Sequence, residues 1–527
     1  MRGQRETDSI SAEGGILTET GDPLQVLQKT TRWLRRLFSP NESLSSRVVV
    51  SGVWVLLLRI ASRLMVLART IVLARLLSPD DFGLMGITLV VMSVLETFSQ
   101  TGFQAALIQK KDDIEGHLDT AWTVMAVRGL ALYALLFFAA PFAAAFYEAP
   151  QAVPVIRATG LGLIMTGLMN IRVVYFKKEL EFQKQFVFLL TGTIADLTLS
   201  VLFAVLLQNI WALVYGHLAG SLARLIISYL IIPWRPRLTF QLDKVKDLYG
   251  YGRWIFWSSV FIFLLTEGDD ALLGKLLGLT ALGFYQMAHR ISNLPATEIT
   301  HMISSITFPA YAKLQDNPAA LRDAYLRVLK LTAVLSIPLA GGIFALSPEM
   351  TLILLGERWL PIVDAMRVLV IGGMVRSIGA TMGPIFQAVG KPQILSRFLF
   401  VQVLLVAAII YPLTMTYGIV GTGLSLMIPG LIVNSIFAYF VLKITGLEKR
   451  RFFQAIGYPL FSTLFMVLAL SAVKTFLVPP VGIITFLGLV AFGILVYLGL
   501  LLVQERFFDY RMLPVLRSIR NSFQRAG

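Results

Sequence analysis

The chain has 527 residues, of which 56% are hydrophobic and 15% charged, and it contains no cysteine. Soluble domains average about 25% charged residues, so this composition indicates a polytopic membrane protein and excludes most soluble enzymes. The absence of cysteine excludes disulfides, iron–sulfur clusters, thiolate zinc sites and cysteine nucleophiles, and four histidines leave little room for an imidazole metal cluster. We therefore expect neither a cofactor nor a metal site.

The first 47 residues precede any apolar segment and lack the apolar core of a secretory signal, so they are predicted to form a cytosolic tail. Leu24, Leu27 and Leu34 recur at helical spacing among basic residues. This pattern favours an amphipathic helix on the inner membrane surface, and a disordered basic tail is the alternative.

Fourteen apolar segments follow, each close to the roughly 20 residues that a helix needs to cross a membrane. Most Lys and Arg residues outside these segments fall on the side of the N-terminus, whereas Lys275, Arg358 and Lys474 lie at outward loops. This positive-inside pattern places both termini in the cytoplasm and explains the net charge of +15 without a nucleic-acid partner. The approximate spans are 48–77, 84–108, 119–146, 153–176, 185–207, 210–232, 250–274, 282–308, 328–346, 362–388, 396–416, 418–442, 454–474 and 481–503.

An internal repeat appears at an offset of 200 residues, where Arg75–Gly83 resembles Lys275–Gly283. Six predicted spans separate the two turns, so the repeated units insert in the same orientation, as in many alternating-access transporters. The predicted fold is therefore all-α, with two parallel-repeat six-helix lobes and two further C-terminal helices. The predicted segments are 1–47 (tail), 48–232 (N-lobe), 233–249 (cytosolic linker), 250–442 (C-lobe), 443–503 (helices 13 and 14) and 504–527 (basic cytosolic tail).

The first span carries an unusual number of arginines, each of which is costly in hydrocarbon unless it faces protein or water. Arg59, Arg63 and Arg69 fall within an arc of about 120° and form a ladder about 15 Å long. A cationic stripe between two lobes suits an anionic substrate, and arginine matches phosphate because its fork donates two hydrogen bonds. Structural pairing with buried acids, or snorkelling to the interface, is the alternative for each arginine.

Other spans contribute further charges, including Arg128, Arg224, Arg290 and Arg376. The sequence alone assigns no specific role to these arginines. A buried carboxylate can take up a proton during a transport cycle, so Glu96, Asp196 and Asp269 are candidates for ion coupling. The sequence leaves proton-, sodium- and potential-driven transport open. No metalloprotease or phosphate-loop motif is present, and the longest outward loop, about 347–361, is too short for a catalytic domain.

Several sequence blocks occur in an order typical of one transporter family. They are Ser62–Arg63, Arg69, Arg75–Leu84, Gly102–Gln109, Asp269, Leu272–Gly278, Leu282–Tyr285, Phe308–Ala310, Leu354–Trp359 and Gln387–Pro392. The chain resembles the Wzx-like oligosaccharide-lipid flippases of the polysaccharide transport family, within the multidrug, oligosaccharidyl-lipid and polysaccharide exporter superfamily.

The resemblance implies fourteen helices in two rocking lobes and a bacterial inner-membrane flippase for undecaprenyl-diphosphate-linked oligosaccharides, used in exopolysaccharide, capsule or lipopolysaccharide synthesis. Its implied partners are that lipid-linked substrate, membrane lipids and polysaccharide polymerase or export machinery. The related peptidoglycan-precursor flippases carry Ser-Arg, five residues and Arg in their first helix, which Ser62, Arg63 and Arg69 match. This match implies a substrate-binding role for Arg63 and Arg69, with Ser62 and Arg59 beside them.

Two alternatives stay open. A drug or organic-cation exporter of the same superfamily would favour acids over an arginine ladder in the first span. An integral-membrane glycan polymerase would need acidic catalytic groups and a sizeable extracytoplasmic loop, and neither is evident. We therefore expect a transporter without enzymatic activity.

Overall fold

The structure is a computed structural model that describes residues 44–99, 114–179, 181–244, 263–293, 314–476 and 482–508, with a few isolated positions between them. The side chains of residues 44–59 lie outside this description, as do the predicted amphipathic helix of the tail and residues 509–527.

The described residues form helices and contain no strand. The helices are α1 (Leu44–Leu76), α2 (Pro79–Phe98), α3 (Glu115–Phe146), α4 (Ala152–Gly167), α5 (Val174–Lys178), α6 (Phe182–Leu207), α7 (Trp211–Ile231), α8 (Gly268–Ser292), α9 (Pro318–Met350), α10 (Val363–Ala380), α11 (Gly383–Ala388), α12 (Pro392–Thr445), α13 (Lys449–Thr475) and α14 (Ile483–Phe508). We name α1–α7, with the loops between them, the N-half and α8–α12, with the loops between them, the C-half.

The predicted all-α, polytopic fold class is confirmed. Among the described residues, ten helices are long and apolar enough to cross a membrane, or eleven if the bent pair Ala152–Gly167 and Ile171–Lys178 is one span. Large exposed apolar side chains such as Phe142, Leu230 and Leu495 suit contact with lipid. The count of fourteen spans stays a prediction.

Two of the helices double back on themselves at a glycine with positive φ. In α8 the break is at Gly278 (φ 81°), and Tyr285 Oη donates to Asp269 at 2.6 Å although the two residues are sixteen positions apart. A straight helix would separate them by about 24 Å, so the chain must reverse. In α12 the break is at Gly418 (φ 60°), and the Thr414 and Thr422 hydroxyls are 2.9 Å apart.

A local capping box fixes the start of α2, and an arginine of α3 fixes its end. Ser78 precedes Pro79, and its hydroxyl accepts from the Asp81 amide while the Asp81 carboxylate accepts from the Ser78 amide, a complete capping box. At the other end the Arg128 guanidinium donates to the carbonyl oxygens of Ser99 (2.8 Å) and Glu96 (3.0 Å). These bonds satisfy carbonyl groups that a helix C-terminus leaves without partners.

Glycines set the separation of α3 and α4. A Cβ atom at Gly129 would lie 2.7 Å from the Leu163 carbonyl oxygen, and one at Gly167 would lie 2.7 Å from that of Met125. Small residues at such a crossing let two backbones approach closely, which favours helix association in a membrane.

We expect Gly129→Ala to lower the free energy of unfolding by about 1–3 kcal/mol, because the added methyl group forces the two helices apart. Gly342→Ala in α9 is the matched control, since a Cβ atom there meets nothing within 4 Å. Thermal unfolding midpoints in detergent provide the measurement, and equal midpoints for the two variants would contradict the assigned packing.

Candidate functional site

A cavity of about 600 Å³ lies between the N-half and the C-half. From the N-half it is lined by residues of α1, α2, α4 and α7, and from the C-half by residues of α8 and α10 with the positions next to α8. Most of the residues in its wall carry charged or hydrogen-bonding side chains. They include Arg63, Ser93, Glu96, His217, Arg224, Glu267, Asp270, Gln286, Arg290 and Arg376.

Four arginines of the cavity are separated from the ends of their helices by similar numbers of residues. Arg63 is thirteen residues before the end of α1, Arg224 and Arg376 are each thirteen residues after the start of α7 and α10, and Arg290 is twelve residues after the break in α8. At 1.5 Å per residue these positions are about 18–20 Å from the helix ends. Two of the guanidinium groups come from each half, so a bound ligand would meet positive charge from both sides.

Arg290 also connects the two halves directly. Its Nη1 atom donates to the Thr70 hydroxyl of α1 at 3.3 Å.

Arg224 is accommodated by a glycine of α6. A Cβ atom at Gly192 would lie 2.5 Å from the Arg224 Cγ atom, so this glycine makes room for the arginine side chain.

Arg63 lines the cavity, but Arg69 points toward α6 and is not part of its wall. The Arg69 Nε atom donates to the Ser200 hydroxyl at 3.1 Å, and its Nη2 atom lies 3.0 Å from Asp196 Oδ1. Six residues of helix rotate a side chain by about 240°, which leaves Arg63 and Arg69 about 120° apart, at the two edges of the predicted arc. The two side chains therefore face different neighbours. This arrangement pairs a predicted substrate residue with a predicted coupling acid.

The other predicted site residues are dispersed. Ser62 is half-buried and lies outside the cavity wall, and the side chain of Arg59 is outside the described residues. Glu96 opens into the cavity from α2. Asp269 is buried and accepts a hydrogen bond from Tyr285, whereas its neighbour Asp270 lines the cavity and accepts from Gln286 Nε2 at 2.7 Å.

Arg224, Arg290 and Arg376 received no role from the sequence, although they form most of the positive wall. The available signal was the shared spacing of Arg224 and Arg376 from the starts of their predicted spans, which becomes meaningful only when the helices are known to be neighbours. Arg290 does not share this spacing in the predicted spans. Within the part of the chain that is described, no group of three His, Cys, Asp or Glu residues is arranged to hold a metal ion.

The comparisons with known proteins agree with this architecture. The family model described as "Polysaccharide biosynthesis protein" matches residues 72–364. The chain is 26% identical over 403 residues to the lipopolysaccharide biosynthesis protein WzxC of Escherichia coli (strain K12), covering 76% of this chain and 82% of that protein. It is 23% identical over 468 residues to the succinoglycan biosynthesis transport protein ExoT of Rhizobium meliloti, covering 86% and 93%.

A solved structure shares the fold. The lipid II flippase MurJ in its inward closed conformation aligns with a TM-score of 0.72 at 16% identity, covering 86% of this chain and all of that chain. The apolar helices and these likenesses identify a multi-pass membrane transporter rather than an enzyme. Because the family model matches more than half of the sequence, the chain belongs to the polysaccharide biosynthesis protein family.

Proposed function

We propose that this protein is a flippase that moves undecaprenyl-diphosphate-linked oligosaccharide repeat units across the bacterial inner membrane for polysaccharide synthesis. The observation that carries the proposal is that Arg63 and Arg224 of the N-half and Arg290 and Arg376 of the C-half line one cavity. The relatives support the proposal, since WzxC is a lipopolysaccharide biosynthesis protein, ExoT is a succinoglycan biosynthesis transport protein and MurJ is a lipid II flippase.

The geometry suits a lipid diphosphate. A diphosphate cannot cross hydrocarbon unaided because its charge would lose water without compensation. Guanidinium groups supply that compensation and donate paired hydrogen bonds to phosphate oxygens, while a polyprenyl tail can stay in the lipid. The carboxylates of Glu96 and Glu267 and the amide of Gln286 line the same cavity and can accept or donate hydrogen bonds with sugar hydroxyls.

In this proposal the N-lobe (48–232) and the C-lobe (250–442) rock about the cavity, so that it opens alternately to the two membrane faces. Both termini are cytoplasmic, and the flipped product passes to polysaccharide polymerase or export machinery. Arg63 binds the diphosphate, with Arg59, Ser62 and Arg69 as further predicted substrate residues. Glu96, Asp196 and Asp269 stay candidates for ion coupling, and of these Glu96 opens into the cavity.

The direct test uses proteoliposomes that contain the purified protein and a lipid-linked oligosaccharide. A headgroup-modifying enzyme excluded from the lumen reports the substrate in the outer leaflet. We expect the protein to make the protected pool accessible, and liposomes without protein to leave it protected. Unchanged protection with folded protein and several lipid-linked glycans would refute the proposal, and an organic-cation efflux assay on the same vesicles tests the exporter alternative.

Arg63→Ala, Arg224→Ala and Arg376→Ala are each expected to lower the flipping rate about 10- to 100-fold, because each removes a charged hydrogen-bond donor worth about 1.5–3 kcal/mol. Arg157→Ala is the matched control. Arg157 is also an intramembrane arginine, but it donates to the Phe137 carbonyl, packs on the Phe137 ring and does not line the cavity. Similar losses in all four variants would refute a cavity-specific role.

A double-mutant cycle tests how Arg69 acts. Arg69→Met and Asp196→Leu are each expected to lower the free energy of unfolding by about 1–3 kcal/mol, because each leaves a partly buried charge without its partner. The double variant should lose less than the sum. If Arg69 also binds substrate, the flipping rate stays low in the double variant after stability recovers, whereas recovery of both quantities would show a purely structural role.

A further inference from the structure

The two turns of the sequence repeat touch each other, and their contacts follow the same offset of 200 residues. A Cβ atom at Gly83 would lie 1.9 Å from the Leu279 carbonyl oxygen, and one at Gly283 would lie 2.0 Å from the Pro79 carbonyl oxygen. Gly83 corresponds to Gly283 and Pro79 to Leu279, so the contact is reciprocal. Such close backbone approach requires glycine at both positions.

A third pair lies between these two contacts. Thr280 donates a hydrogen bond to the Asp80 carboxylate, and these residues also differ by 200 positions. A contact between equivalent residues marks a local two-fold axis. We call this side of the protein, where α1 ends and α2 begins, the turn end.

One connection between the halves at the turn end starts from the last turn of α1. The Arg75 guanidinium donates to the carbonyl oxygens of Leu352 (3.4 Å), Ile353 and Leu354 (3.2 Å), at the C-terminal end of α9 and its following turn. Carbonyl groups at a helix C-terminus are partners that favour a cation. We name this connection, together with the contacts of Trp359, the Arg75 latch.

Trp359 completes the Arg75 latch and is fully buried. Its Nε1 atom donates to the Ala74 carbonyl oxygen at 2.9 Å. Its ring packs edge-on against Phe82 of the N-half and Phe284 of the C-half, with ring centres 5.2 and 5.9 Å apart. The loop between α9 and α10 is thereby fixed to the first two helices.

The second connection starts from the equivalent position in the C-half. Lys275 lies 2.8 Å from the Glu148 carboxylate in the loop between α3 and α4, and its ammonium group lies 5.4 Å from the centre of the Phe146 ring. A Cβ atom at Gly274, which corresponds to Ala74, would lie 3.1 Å from the Tyr147 ring. The hydrogen bond from Lys275 and its charge hold the pKa of the Glu148 carboxyl below its usual range. We name this connection the Lys275 latch.

We propose that the Arg75 latch and the Lys275 latch form a duplicated gate that closes the cavity at the turn end, and that the Arg75 latch dominates it. Each latch connects the N-half to the C-half, so both must break before the halves separate on this side. The latches are unequal because Trp359 is fully buried whereas the Glu148 side chain is 81% exposed, and exposed ion pairs contribute little. The proposal rests on the rocking motion of the proposed function but not on the identity of the substrate.

The gate is tested through access to the cavity, which needs no substrate. The chain contains no cysteine, so Ser93→Cys in the cavity wall supplies a single thiol. In right-side-out membrane vesicles a membrane-impermeant maleimide is added from outside. We expect Arg75→Ala and Trp359→Phe, which keeps an aromatic ring and removes the N–H donor, each to raise the labelling rate about tenfold. Lys275→Ala should raise it by about threefold or less.

A disulfide cross-link tests the opposite change, because it holds the gate closed. Asp80→Cys with Thr280→Cys should form a disulfide across the axis, abolish glycan-lipid flipping and release it again with dithiothreitol. Thr414→Cys with Thr422→Cys is the matched control, because this hydrogen-bonded pair lies within the C-half and its disulfide should leave flipping unchanged. Both pairs are also combined with the Ser93→Cys accessibility measurement.

The outcomes separate the gate from the transport function. Unchanged labelling in the Arg75 and Trp359 variants, in protein of normal thermal stability, would overturn the gate. A larger increase for Lys275→Ala than for Arg75→Ala would overturn the stated order of the latches. If labelling responds as expected while the unmodified protein moves no glycan lipid, the gate stands and the proposed substrate fails.

Discussion

A guanidinium group inside a membrane needs hydrogen-bond acceptors, a counter-charge or water, because hydrocarbon supplies none of them. This chain meets the requirement in three ways. Arg69 pairs with Asp196, Arg128 caps the C-terminal carbonyls of α2, and Arg63 lines a polar cavity with three other arginines. The first two solutions fasten helices of the N-half to one another. The third places the four arginines around polar space between the N-half and the C-half, where Glu96, Glu267 and Asp270 line the same wall.

The interface between the halves therefore has two different regions. At the turn end, glycine on both sides lets the α2 and α8 backbones meet at carbonyl distance, and Trp359 fills the remaining space. Farther along α8 the space opens into the cavity, whose wall includes Gln286 and, about 10 Å beyond Gly283, Arg290. A contact that is tight at one end and charged in the middle is what a rocking transporter requires, because the tight end can separate without exposing the charge to lipid.

The duplication explains why the Arg75 latch and the Lys275 latch are related but not identical. Gly83 and Gly283 make the same contact, yet Arg75 binds carbonyl groups of a long loop whereas Lys275 binds one carboxylate in a short loop. Unequal latches allow the halves to separate stepwise, because the exposed ion pair of Lys275 and Glu148 costs less to break than the packing of the buried Trp359.

Composition, hydropathy and charge asymmetry determined the all-helical membrane fold, and the offset of 200 residues identified the repeated turns. These properties could be predicted because they depend on the periodicity and transfer energy of single segments.

The wall of the cavity could not be predicted from the sequence. Arg224, Arg290 and Arg376 lie on separate helices, and they line one wall only because those helices surround one space. Likewise, the sequence placed Arg63 and Arg69 in one arc. In the structure Arg69 forms an ion pair with Asp196 of α6, whereas Arg63 faces the cavity. Sequence thus decided which side chains carry charge into the membrane. Only the tertiary structure decided which of them meet, because such contacts depend on helix rotation and on long-range packing that no single segment encodes.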